Sequence, residues 1–165
     1  MKKILSTLLA GVMITVCSSS VYASDIKNSA VPQQGEAVIT TEIAPSFIVN
    51  IPVDTDVAFN TVNSDFGAVE LTKAQLEPDK CIKVTLTTDG TLNNIKDHSK
   101  IIPYKIYEGN ADSVSETIFS SAEYKAVGDK TDLTIHIEGE DWNSAYAGQY
   151  SDTVTFTIEY INITS

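Results

Sequence analysis

His136 and Glu138 stand two residues apart, and in an extended segment that spacing aims both side chains from one face. An imidazole beside a carboxylate is where an acid–base pair or a metal site could begin. A zinc or hydrolytic site asks for about three or four convergent groups, and the only other histidine, His98, lies in the polar stretch 94–100. The pair is therefore read as two residues on the wet face of a strand. Acidic side chains recur at Asp54 and Asp56, at Asp129 and Asp132, and at Glu138, Glu140 and Asp141. Loop carboxylates of this kind offer oxygens to a hard cation, so calcium is the one cofactor the sequence raises. None of these runs follows the spaced Asp-x-Asp-x-Asp-Gly pattern with a distal Glu. Solvated turns account for them equally well, and no cofactor is expected.

Cys81 opens an apolar alternation, Ile82, Val84 and Leu86, which puts its sulfur on the opposite side of the strand. A catalytic thiol needs a histidine partner and an electropositive setting, and this acidic chain supplies little of either. No Gly-x-Ser-x-Gly elbow and no glycine-rich phosphate loop occurs. The sequence thus predicts a protein that is not an enzyme. Trp142, Tyr146 and Tyr150 form the densest aromatic group. Exposed rings could stack on sugars; buried ones would plug the open end of a small core, since each ring buries upward of ~150 Å². Plugging is the expected role. Tyr150, at the opening of the last strand, is expected to hydrogen-bond back to a nearby loop.

The chain of 165 residues carries a formal charge of −11, with 22 acids, 11 lysines and no arginine. Counterion release at phosphates needs clustered cations, so nucleic acid is disfavoured and not expected as a partner, and acidic polymers and anionic membrane surfaces are disfavoured too. Met1-Lys2-Lys3, an apolar run from Ile4 to Val16 and the exit Ser18-Ser19-Ser20-Val21-Tyr22-Ala23 have the form of a secretory signal cut after Ala23. The apolar run is shorter than the ~20 residues that span a bilayer, so no membrane insertion is expected once it is removed. Val16 ahead of Cys17 lacks the small side chain of a lipoprotein signal. Cleavage removes Lys2 and Lys3 but no acid, which takes the charge from −11 to −13. Only Cys81 then remains, so no disulfide within the chain can form and the core must hold the fold alone.

Residues 24–35 are polar, broken by Pro32 and Gly35, and read as a flexible lead-in. From residue 36 to 165 the dominant period is two. Ala37, Ile39 and Ile43 alternate with Val38, Thr40 and Glu42; Phe47, Val49 and Ile51 follow between Pro45 and Pro52. The pattern returns at Val69 and Leu71, at Ile82 to Leu86, at Leu133, Ile135 and Ile137, and at Val154, Phe156, Ile158 and Tyr160. Turn signals lie between them at Asp89-Gly90, Glu108-Gly109-Asn110, Gly128-Asp129 and Gly139-Glu140-Asp141. The expectation is one all-β domain, an immunoglobulin-like antiparallel β-sandwich of about seven to nine strands. Single helical turns are expected at most at Leu71–Leu76 and Trp142–Tyr146.

Two segments carry a resemblance. Ala147-Gly148-Gln149-Tyr150-Ser151-Asp152-Thr153-Val154-Thr155-Phe156-Thr157-Ile158 resembles the last-strand motif of spore coat U-like and fimbrial-type sandwiches. Pro45-Ser46-Phe47-Ile48-Val49-Asn50-Ile51-Pro52 is similar to the opening of small secreted Firmicutes β-sandwich proteins. Together they cover about 20 residues, and the paired cysteines of the coat U pattern are missing. The resemblance implies an immunoglobulin-like domain at the cell surface with no active site to carry over.

The functional expectation is an exported surface protein with a structural or adhesive role, pairing by its edge strands with itself or other surface proteins. The alternating segment Gly35–Ala44 is the expected donated strand. The alternative is a carbohydrate-binding module that meets glycans through Trp142, Tyr146 and Tyr150.

Overall fold

A computed structural model describes residues 37–163 of the chain. The signal sequence, its cleavage after Ala23 and the lead-in 24–35 lie outside the described residues. Among those residues the fold is all-β: eleven strands in antiparallel sheets and one short helix. No helix there is long and apolar enough to cross a membrane.

The larger sheet has five strands in the order β1 (Ser46–Asn50), β2 (Asn63–Gln75), β9 (Lys130–His136), β6 (Lys105–Asn110) and β7 (Ser113–Ile118). Facing it are two three-stranded sheets. One runs β11 (Thr155–Asn162), β3 (Lys80–Thr87), β8 (Ser121–Tyr124); the other runs β10 (Tyr150–Ser151), β4 (Thr91–Asn94), β5 (Ile101–Pro103). These two continue one another. β3 leads through Asp89-Gly90 into β4, and the β10–β11 segment accompanies them from Tyr150 opposite Asn94 to Asn162 opposite Lys80. On the other side the amides of Leu86 and Tyr104 reach the carbonyls of Ser120 and Gly90. The result is one ribbon with a bend at residues 88–90. Gly90 sits at the bend with φ +71, and a Cβ there would come within 3.2 Å of the Tyr104 carbonyl oxygen. That combination favours glycine.

Period-two sequence explains which faces meet. Val69 and Leu71 of β2, Ile106 of β6 and Leu133 of β9 are buried against Ile82 and Val84 of β3, Ile102 of β5 and Tyr124 of β8. This is sheet-on-sheet packing, a β-sandwich, with polar residues such as Thr155, Thr157 and Glu159 turned outward. Between β5 and β8 the chain leaves the bent ribbon at Tyr104, forms β6 and β7 in the large sheet, and returns at Phe119. Both crossing residues are buried.

Several expectations change. The strand count exceeds nine because the bend divides long strands into short ones. Leu71–Gln75 is the end of β2 and Leu76 follows it, with no helical turn there, since Leu71 pairs with Val49 and Lys73 with Ile48. Gly109 lies within β6 beside a register shift, and the turn falls at Ala111-Asp112. The alternating segment 37–43 forms no strand. The sandwich expected from residue 36 has its first strand at Ser46.

Candidate functional site

The aromatic group lies at one end of the sandwich, organised by α1 (Gly139–Ser144). The helix turns Trp142 inward, leaving it 7 % exposed, and the indole Nε1–H donates to the Thr61 carbonyl at 2.9 Å. Phe59 closes over it edge-on, ring centroids 5.6 Å apart. Tyr150 is half-buried, and its hydroxyl donates to the Tyr146 carbonyl at 2.9 Å, the return bond its position suggests. Of Trp142, Tyr146 and Tyr150, only Tyr146 presents its ring to solvent, at 64 % exposure, with the Lys100 ammonium 4.6 Å from the ring centre. Trp142 therefore serves as a plug, and its faces are not available for stacking on a sugar. Phe59 carries no sequence signal, because the loop around it, residues 53–60, has no period to mark it.

His136 ends β9 with both ring nitrogens engaged. Nδ1 donates to Asn63 Oδ1 at 2.7 Å, Nε2 faces Glu138 Oε1 at 3.2 Å, and the ring meets Tyr107 edge-on at 5.4 Å. A shallow depression beside it is bounded by Pro103, Tyr104, Lys105, Glu138 and Asp141. His98 lies elsewhere, exposed in the turn after β4. Among the described residues, no three His, Cys, Asp or Glu side chains come together as a metal would require. The acids singled out for calcium do not converge, and Asp129 and Asp132 are engaged locally. Asp129 Oδ2 accepts the backbone N–H of Lys125 at 2.6 Å and of Ala126 at 2.9 Å, which holds its carboxyl below the usual carboxylate range. Asp132 pairs with Lys130 at 2.7 Å. Asp54 and Asp56 are exposed in the loop after Pro52.

Cys81 is fully buried. Burial, with the Glu123 carboxylate second, pushes its thiol above the ordinary range, the opposite of what a nucleophile needs.

Two further places emerge whose residues the sequence does not bring together. At the bend of the ribbon, the Tyr104 hydroxyl donates to Asp152 Oδ2, and the Thr88 hydroxyl lies 2.6 Å from Tyr104 Oη and 3.1 Å from Asp152 Oδ2. Thr88 also accepts the Gly90 amide at 2.9 Å, and Asp152 Oδ1 that of Thr153 at 2.7 Å. Three segments of the ribbon are thus fastened where its strands break. Burial, then the bond to Asp152, drives the Tyr104 hydroxyl pKa well above that of free tyrosine.

The second place is the rim where β1 and β11 end their respective sheets. Phe47 meets Tyr160, and Phe66 meets Phe156, each pair with ring centroids 6.2 Å apart. These rings, with Val49 and Ile158, pack on the core while staying partly open to solvent.

No protein-family model matches the chain, and a search of curated proteins finds no match. The fold and the geometry of its polar groups define the class, an all-β sandwich protein.

Proposed function

We propose that the chain is an exported, non-catalytic surface protein with a structural or adhesive role, acting by strand pairing. One observation carries the reading. Residues 37–43 have the composition of a half-buried strand, yet Val38 is 88 %, Ile39 96 % and Ile43 64 % exposed, and the segment forms no strand. Exposed β-prone apolar sequence is normally paired, covered or broken by charge; here Glu42 is the only charge between Ala37 and Ala44. A partner that supplies a sheet edge would satisfy both its backbone and its side chains.

Size-exclusion chromatography with light scattering on residues 24–165, against a form starting at Pro45, tests this. The longer form is expected to associate and the shorter to run as a monomer. Equal masses for the two would dispose of the reading. Adding calcium or a chelator to the same runs is expected to change nothing. The glycan-binding alternative has less support, because of Trp142, Tyr146 and Tyr150 only Tyr146 offers an open ring.

A further inference from the structure

Strand donation, the reading on which the choice of an edge rests, requires a strand that can receive the segment. Both ends of the large sheet are poor hosts. β1 has five residues, lies between Pro45 and Pro52, and suffers a register shift between Ile48 and Val49. β7 is exposed on both faces apart from Val114 and Ala111 before it, so an added strand there would find no apolar floor. On the bent ribbon β5 and β8 hold only three and four residues. Bulges, prolines and short length are the means by which edges are protected.

β11 has none of these protections. It runs eight residues in unbroken register with β3 and carries a single charge, Glu159. Its free side can be assigned. The Leu86 amide points to Ser120, on the side away from β11, so alternation turns the amides of Thr85 and Thr87 toward β11. Their partners Thr157 and Thr155 spend their backbone groups on that ladder. Phe156, Ile158 and Tyr160 therefore direct their N–H and C=O outward, with no strand beside them among the described residues. The same three residues send half-buried side chains into the rim with Phe47 and Phe66. A strand laid there would gain a hydrogen-bond ladder and an apolar floor together.

We propose that residues 37–43 of a second copy of this chain pair with the outer edge of β11, Ile39 and Ile43 turned onto the Phe47–Phe66–Phe156–Tyr160 rim. The lengths agree: seven residues span about 23 Å at ~3.3 Å each, against eight in β11. Val38, Thr40 and Glu42 then face solvent beside Thr155, Thr157 and Glu159.

Adjacent strands place facing Cβ atoms about 4.5–5.5 Å apart, within reach of a disulfide. Thr40 is central in its segment, so a cysteine there reports on either strand direction. Thr40→Cys protein is mixed under mild oxidation with Thr157→Cys, Glu159→Cys or, on β7, Ser115→Cys; all four positions are exposed, and Cys81 stays buried in each chain. The expected result is a shift to disulfide-linked dimer mass with Thr157→Cys or Glu159→Cys and none with Ser115→Cys, the bond mapped by peptide mass spectrometry. A crosslink at Ser115→Cys, or a dimer on the column that crosslinks at none of the three, dismisses β11 while strand donation stands. An intrachain bond in the double variant T40C/T157C without dimer dismisses the second copy. If nothing crosslinks and the column shows monomer alone, strand donation itself is wrong.

Discussion

At the bend of the ribbon Tyr104 is buried, whereas at the β11 rim Tyr160 lies half-open under the Lys80 ammonium, 5.6 Å from its ring, and each hydroxyl bonds a carboxylate. Both residues hold two parts of the chain together. Tyr104 joins Thr88 to Asp152, and the Tyr160 hydroxyl accepts the Glu77 amide at 2.8 Å. The difference is in what replaces the bond when it is lost. Tyr104 itself is buried, although its partner Thr88 is exposed; at Glu77, which is exposed, water stands ready. The bend is finished within one chain, while the rim keeps its rings and backbone available to another.

Tyr104→Ala takes a buried ring from the core and the donor from Asp152, and is expected to cost about 3–5 kcal/mol in chemical denaturation. Tyr104→Phe keeps the ring and is expected to cost about 1.5–3 kcal/mol, as loss of a hydrogen bond to a charged acceptor does. A loss near zero would mean that Thr88 and solvent fully replace the phenol.

The same hydroxyl sets a pH dependence. The folded state raises the Tyr104 pKa above its unfolded value near 10, with burial as the main cause, and burial raises Tyr124 likewise. The folded protein thus binds more protons than the unfolded chain above that pH. Stability is in full below about pH 10 and falls as pH climbs toward the folded value. Melting temperature followed from pH 9 to 11 is expected to decline, and less steeply in Tyr104→Phe. Parallel curves for the two proteins would place the alkaline loss elsewhere.

How far the sequence discloses these regions depends on the reach of alternation. Ile82, Val84 and Leu86, and Phe156, Ile158 and Tyr160, announce their strands and buried sides because a two-residue period is a local property. The same period at Ala37–Ile43 yields no strand in this chain, since pairing depends on a partner that no local pattern names. Trp142 and Tyr150 are legible as structural aromatics from their place before the last strand. The clasp is not: Thr88, Tyr104 and Asp152 are 16 and 48 residues apart, and only the folded bend unites them. The breaks between β3 and β4 at 88–90 and between β10 and β11 at 152–154 are likewise tertiary events, and only the first is marked in sequence, as Asp89-Gly90.

Tyr160→Phe deletes the bond from the Glu77 amide and the one donated to the Glu77 carboxylate at 3.3 Å, but keeps the ring against Phe47 and beneath Lys80. Because Glu77 can turn to water, the change is expected to fall within about 0.5 kcal/mol of the parent, and self-association by light scattering should be unaltered, since the rim contributes ring surface and backbone groups, not this hydroxyl. A cost matching that of Tyr104→Phe would show that enclosure is not what separates the two tyrosines. The β11 rim would then be a second structural clasp, fastened within the chain, and a poor place for a partner strand to enter.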